Sequence, residues 1–165
     1  MRRRLLAFTL GPLLGLAALA SAAAAASGVL LINESPSLPQ GLYWRTAAAA
    51  PGLGDIVALE PPRAARRYLT GLGMPPTVKL LKRVAAVQGQ QVCARSSAVR
   101  VGDEVIPVRR RDRRGLPLPR QVGCRALDED EIFVLGDTDG SFDSRYFGPV
   151  RGAAVAGIYR EVLTW

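Results

Sequence analysis

Thr77-Val78-Lys79-Leu80-Leu81-Lys82-Arg83-Val84-Ala85-Ala86-Val87 reads as a β-strand. Alternate side chains of a strand share one face. On that register Lys82 lies with Val78, Leu80, Val84 and Ala86, all apolar. Lys79 and Arg83 lie on the opposite face. An amine among apolar groups is disfavoured as a cation, so its pKa falls. A free lysine titrates near ~10.4, and buried examples drop to roughly 5–6. Lys82 is therefore a candidate general base, and Lys79 is not. The plainer alternative is a lysine snorkelling from a strand edge. A partner hydroxyl elsewhere in the chain decides between them.

Outward from this strand, short β-like runs alternate with Gly and Pro. Gly54 to Leu59 reads as a turn followed by a strand. Residues 91–101, 104–108, 132–135 and 155–163 are further candidate strands. Residues 61–76 hold four prolines and two glycines, and read as an irregular connection with one helical turn near Ala64 to Leu69. Residues 109–124 are a second polar excursion. No internal repeat is visible. The class is mostly β, in a small closed or partly closed sheet system.

The first 32 residues form a separate unit, ahead of a folded unit over 33–165. Arg2, Arg3 and Arg4 are followed by an uncharged run from Leu5 to Ile32. That length of helix spans a bilayer at ~1.5 Å per residue. Arginines ahead of the run place the N-terminus in the cytoplasm and the folded part outside. Ala20-Ser21-Ala22 also fits a signal-cleavage site, so removal of the segment stays open. The run continues past those small residues to Ile32, which favours a retained anchor in contact with membrane lipid.

The chain carries a net charge of +8 and no histidine. The missing histidine excludes Ser-His-Asp and Cys-His catalysis and every His-ligated metal site. Of 22 basic residues only Lys79 and Lys82 are lysine. Arginine does not deprotonate in a protein, whereas a buried lysine can. The positive charge is scattered. Its densest run, Arg109 to Arg114, reads as a solvated loop or as a site of attraction to anionic headgroups. No nucleic-acid partner is expected. Cys93 and Cys124 can form one disulfide or remain as two buried thiols. No CxxC pair is present, and neither a metal nor a cofactor is expected.

Two further segments complete the chemistry. Asn33-Glu34-Ser35-Pro36-Ser37-Leu38-Pro39-Gln40-Gly41-Leu42-Tyr43-Trp44 begins where the apolar run stops. Pro36 and Pro39 deny it a helix, and a rigid turn can hold a hydroxyl in one orientation. Its plain alternative is a Ser/Pro linker. Val134 to Val150 packs Gly136, Asp137, Asp139, Ser141, Asp143, Ser144 and Arg145 into a tight loop after an apolar strand. Its alternating oxygens fit calcium poorly, because Phe142 stands where an EF-hand needs Gly and Gly148 where it needs Glu. An Asp143–Arg145 pair or an Asx turn is the plain alternative.

Taken together the three segments resemble type I signal peptidases (serine peptidase family S26). They are most similar to the conjugative-transfer branch of TraF type. The boxes that carry the resemblance are Ser35-Pro36-Ser37-Leu38-Pro39, Lys82-Arg83-Val84, and Gly136-Asp137 through Ser141-Phe142-Asp143-Ser144-Arg145. They occur in the family's order. Gly54-Asp55-Ile56-Val57 matches a family strand start. The proline two residues after Ser37 departs from the housekeeping form, which has it three after. Val87-Gln88-Gly89-Gln90 replaces the family's usual Leu-Pro-Gly-Asp.

The resemblance implies an antiparallel β domain of the signal-peptidase/LexA-like kind after one N-terminal transmembrane helix. It implies Ser37 as nucleophile and Lys82 as base. Ser141 would orient the amine, Asp143 and Arg145 would brace the site, and Ser35 would join the Ser37 N–H in an oxyanion hole. It also implies a bacterial inner-membrane protein with its catalytic domain on the periplasmic side. The substrate would be an exported, pilin-like precursor bound as an extended strand, with small side chains in shallow pockets. In that branch the acyl-enzyme can be resolved by the substrate's own N-terminus. A self-cleaving repressor would need a DNA-binding module where this chain has its apolar run. A non-catalytic tethered β domain, serving assembly within a secretion or conjugation apparatus, is the alternative from another class. The Ser37–Lys82 distance separates it from the enzyme.

Overall fold

The computed structural model describes residue 23 and residues 28–165 of the chain. Most of the expected membrane segment, residues 1–22 and 24–27, lies outside the described residues. Among the described residues no helix is long and apolar enough to cross a membrane. The last apolar residues of that segment belong to the folded domain. Leu30–Asn33 is strand β1 and pairs antiparallel with β2, Gly41–Arg45. The sheet therefore starts three residues before the boundary expected from composition.

A turn at Gly54, whose φ of +83° suits glycine, leads into β3, Ile56–Leu59. All four β3 side chains are buried, as a short apolar run covered on both faces requires. The helical turn expected near Ala64 to Leu69 extends to a full helix, α1, Arg63–Gly71. Ala65 and Leu69, four residues apart, are its buried pair.

Strand β4 spans Leu80–Ala86, shorter than the expected 77–87, because the Val78 N–H closes a turn on the Pro75 carbonyl and keeps residues 77–79 out of the sheet. Its burial alternates as the sequence predicts: Lys82, Val84 and Ala86 are buried and Arg83 is not. Gln91–Val101, read as one strand, is two. Strands β5, Gln91–Ala94, and β6, Ala98–Val101, form a hairpin closed by the Arg95 N–H on the Ala98 carbonyl. Residues Arg95-Ser96-Ser97 supply the turn. Strand β7 is Glu104–Pro107. Strand β8, Gly123–Ala126, emerges from the end of the expected excursion and is exposed throughout. Strand β9 is Glu131–Leu135, and a single helical turn, α2, covers Ser144–Phe147. Strand β10 is Val150–Arg151, and β11 runs from Val155 to Thr164.

The strands make two antiparallel sheets. The larger has the order β1-β2-β11-β3-β4-β9-β10, and the smaller β7-β6-β5-β8. Cys93 on β5 and Cys124 on β8 face each other and are joined by a disulfide. Helix α1 packs its Ala65 and Leu69 against Val57, Val84, Val134 and Phe147, which form the main core. Ala86, Val92, Val99 and Phe133 join the small sheet to the large one. Leu38, Tyr43, Ile56, Ala58 and Tyr159 form a third cluster. That third cluster anchors the Ser37 loop, because Leu38 is the residue after Ser37.

Candidate active site

The loop between β1 and β2 carries Ser37. Proline-rich loops leave backbone carbonyls without regular partners, and these must be met by side chains. Asn33 does this. Its Nδ2 donates to the carbonyls of Ser35 at 2.9 Å, Leu38 at 3.1 Å and Pro39 at 3.0 Å. Its Oδ1 accepts from the Ser35 N–H at 3.1 Å. The Tyr43 hydroxyl donates to the Pro39 carbonyl at 2.6 Å. With Leu38 sunk into the core, Ser37 sits 6 % exposed at the top of a braced turn.

Strand β4 delivers Lys82 to the same point. Val57 on β3 is its cross-strand neighbour. Its Nζ lies 2.8 Å from Ser37 Oγ and donates to the Leu81 carbonyl at 3.0 Å. Lys82 is 4 % exposed. Burial pulls its amine from the ordinary 10.5 down to about 8. The Asp143 charge opposes that fall, and the Arg145 charge adds to it. The pair is within reach for direct proton transfer, and roughly a tenth of the amine is neutral at pH 7.

The third segment folds around this pair as a frame. Arg145 grips Asp143 through two bonds, Nε to Oδ1 at 2.8 Å and Nη2 to Oδ2 at 2.7 Å. Both side chains are buried. The spare capacity of the pair is used on the loop backbone. Asp143 Oδ2 accepts from the Gly136 N–H at 3.0 Å, and Arg145 Nη2 donates to the Thr138 carbonyl at 2.9 Å. Buried Ser144 accepts from the Val134 N–H through its Oγ at 3.0 Å. The loop then reaches the serine turn directly. The Asp137 N–H donates to the Ser37 carbonyl at 2.7 Å.

Two expected hydroxyls take positions of their own. Ser35 Oγ lies 3.0 Å from Ser37 Oγ and accepts from the Ser37 N–H at 3.3 Å. It thus holds the backbone donor of the expected oxyanion hole. Ser141 Oγ is buried without a hydrogen-bond partner. It does not bond Lys82, whose amine is held by the Leu81 carbonyl instead. Ser141 and Lys82 nevertheless line the same groove of about 480 Å³, together with Ser35 and Ser37. A second groove of about 520 Å³ shares Ser35, Ser37 and Lys82 with the first and runs along Thr77 to Leu81. Asp137 and Asp143 do not converge as oxygen ligands. Asp137 pairs with Arg83 and Asp143 with Arg145.

Asn33, Tyr43 and Gly136 carry parts that sequence reasoning did not assign. A Cβ on Gly136 would overlap the Ser141 side chain and lie 2.8 Å from the Ser37 carbonyl oxygen. Only glycine lets the loop close on the serine turn. The Gly136-Asp137 box was visible in the sequence, but this reason for it was not.

A chain with a serine turn, a buried lysine on a strand and a bracing Asp–Arg loop belongs to the family described as "Signal peptidase, peptidase S26", whose model matches residues 2–165. Similar proteins include the plasmid transfer protein TraF of Escherichia coli, 35 % identical over 164 residues, covering 92 % of each chain. The probable conjugal transfer protein TraF of Sinorhizobium fredii is 37 % identical over 170 residues, covering 93 % of this chain and 89 % of its own. Conjugal transfer protein TraF of Agrobacterium tumefaciens is 34 % identical and covers 99 % and 97 % respectively. Among solved structures, a signal peptidase I from Enterococcus faecalis aligns at a TM-score of 0.41 and 23 % identity, over 68 % of this chain and 98 % of its own.

Proposed function

We propose that this chain is a membrane-anchored Ser-Lys endopeptidase that trims exported precursor proteins, with pilin-like precursors of a conjugative apparatus as its substrates. The observation that carries the reading is the 2.8 Å approach of Lys82 Nζ to Ser37 Oγ, both buried at the floor of a groove. The TraF relatives supply the conjugative context. The uncharged run from Leu5 up to the start of β1 supplies the anchor, with the catalytic domain on the periplasmic side.

The neutral Lys82 amine takes the Ser37 proton as Oγ bonds to the scissile carbonyl carbon. The C–N bond then breaks, and the Lys82 ammonium returns that proton to the leaving amine. An ester on Ser37 remains, and a water deprotonated by Lys82 releases it. The oxyanion needs donors. When a substrate carbonyl arrives, the Ser37 N–H turns from Ser35 Oγ to the carbonyl oxygen, and the Ser35 hydroxyl is the second donor. Losing one such donor typically costs ~2.7–4 kcal/mol of transition-state stabilisation. Ser141, unpartnered in the same groove, steadies the amine during transfer. The substrate lies extended through the two grooves that share Ser37 and Lys82, with small side chains next to Ser37, one end beside Thr77 to Leu81 and the other beside Ser141 and the Arg109–Arg114 loop.

Co-expression of the chain with a conjugative pilin precursor tests this. Mass spectrometry should detect a trimmed product with wild type and intact precursor with Ser37→Ala or Lys82→Ala. Wild-type processing in both variants overturns the proposal and leaves the tethered non-catalytic domain as the better description. The product mass also separates hydrolysis from cyclisation.

A further inference from the structure

The arginine run read from sequence as a solvated loop lies on the Ser37 groove. Arg109, Arg111, Arg113 and Arg114 line the same cavity as Ser37 and Lys82. The loop is built rather than loose. Asp112 organises it, accepting the N–H groups of Arg114 at 2.9 Å and Leu116 at 2.8 Å on Oδ1. Its Oδ2 accepts the Tyr68 hydroxyl of α1 at 2.9 Å. Burial, followed by this bond, pushes the Tyr68 hydroxyl up to about 12, so it stays a donor. Arg111 and Pro117 make a bridge across the loop. The stem is tied to the catalytic frame, with the Arg109 N–H on Tyr146 Oη at 3.3 Å and Arg145 Nη1 on the Pro107 carbonyl at 3.4 Å.

Among the described residues no carboxylate forms an ion pair with any of these four arginines. The other acidic residues on the groove wall are Asp112, already bonded to Tyr68, and Asp139. Arg113 comes close to the catalytic loop, since a Cβ on Gly140 would lie 3.7 Å from its Nη2. Gly140 precedes Ser141. Arg111 donates through Nη1 to the Gly115 carbonyl at 2.6 Å, which keeps its charge at the loop without neutralising it. A groove walled by four arginines and one unengaged carboxylate attracts negative charge, and a planar guanidinium suits a carboxylate.

We infer that the Arg109–Arg114 loop is a specificity wall of the peptidase groove, selecting precursors with acidic side chains within a few residues of the scissile bond. The inference rests on the peptidase reading of the site. A peptide is favoured over a lipid headgroup because the arginines share a cavity with Ser37, where the chain undergoing cleavage must lie.

The test uses the full-length chain in neutral detergent and three quenched fluorescent peptides with one Ala-rich core, flanked on both sides by Glu, Gln or Lys pairs. Wild type should show about a fivefold higher kcat/KM for the Glu peptide than for the Gln peptide at low salt, carried mainly by KM. The preference should shrink at high ionic strength. Arg111→Gln/Arg113→Gln should bring the ratio near one, and Arg111→Glu/Arg113→Glu should turn it toward the Lys peptide. Fluorescence anisotropy of the same peptides on Ser37→Ala reads the groove without turnover. Discrimination in anisotropy with no cleavage by wild type rejects the peptidase reading but keeps the arginine wall as a site for acidic peptides. Equal binding and equal cleavage of all three peptides overturns the inference. So does a result in which the arginine variants weaken only association with phosphatidylglycerol vesicles and leave the Glu-to-Gln ratio intact.

Discussion

The Ser37 carbonyl accepts the Asp137 N–H at 2.7 Å, so the peptide unit of the candidate nucleophile is bonded to a loop one hundred residues further along the chain. A serine in a short surface turn is otherwise free to adjust. This bond, the Asn33 side chain and the buried Leu38 remove that freedom. Catalytic geometry tolerates little error, and a misplacement of about 1 Å can cost ~10²-fold in rate.

Activity should rise with pH through about 8, because only the neutral Lys82 amine accepts the Ser37 proton. A kcat/KM profile over pH 6 to 10 checks this. A flat profile, or one falling from neutrality upward, contradicts a lysine base.

The same burial makes Lys82 a stability cost. Its folded pKa of about 8 lies below the ordinary 10.5. Between these values the unfolded chain binds more protons, so stability increases as pH rises. Below about 8 the penalty is fully present, and above 10.5 it has gone. The shift corresponds to about 3 kcal/mol. Lys82→Met should therefore be inactive yet more stable than wild type at pH 7, by up to that amount. Urea unfolding at pH 7 and pH 10.5 should give a larger gain at the lower pH. A variant less stable than wild type at both sinks this account.

Gly136→Ala should lower kcat/KM by about 100-fold, since the new methyl must push back either Ser141 or the Ser37 carbonyl. Steady-state rates on a cleavable peptide measure it. Wild-type rates would mean that the two loops need not close this tightly.

Asp143→Ala leaves the Arg145 guanidinium buried without its partner and should cost about 3–5 kcal/mol. Asp143→Leu/Arg145→Met should cost less than the sum of the single changes, because no charge is then stranded. Denaturant midpoints at constant m-value decide it. Single-variant losses below about 1 kcal/mol would mean that water reaches the pair.

Asn33→Ala removes the donor shared by the carbonyls of Ser35, Leu38 and Pro39 and should destabilise the domain by about 1–3 kcal/mol. It should also lower kcat more than it raises KM, because the serine turn loosens. Thermal unfolding and kinetics on one preparation test both effects. An unchanged kcat would confine Asn33 to a stability role.

Several features could be read along the chain. Alternation over residues 82–86 places Lys82 inside and leaves Arg83 partly exposed, and this is local arithmetic of a strand. Strand β3 follows from an apolar run between Gly54 and Pro61, and β9 from one between the acidic turn Asp128-Glu129-Asp130 and Gly136. Other features were hidden by their shortness or composition. Leu30 to Ile32 read as the end of an apolar run, and only pairing with β2 makes them a strand. Strand β8 is exposed and polar, and is held by β5 and the Cys93–Cys124 bond rather than by its own pattern. The break inside 91–101 is a hairpin whose turn residues, Arg95-Ser96-Ser97, lack the Gly that usually marks one.

Residue types and their spacing thus determined the kind of chemistry open to this chain. With no histidine, and with Lys79 and Lys82 as the only lysines, a hydroxyl beside a buried amine was the candidate chemistry the primary structure offered. Only the folded chain decided how that chemistry is held. Ser37 and Lys82 are 45 residues apart, and no local rule relates their side chains. Their 2.8 Å approach comes from β3 and β4 pairing beneath the serine turn and from a glycine that lets a distant loop close over it. The turning of the arginine run toward the groove is likewise a product of long-range bonds, Tyr68 to Asp112 and Tyr146 to Arg109. Periodicity reports which way a side chain faces on its own element, whereas a site is set by which elements meet.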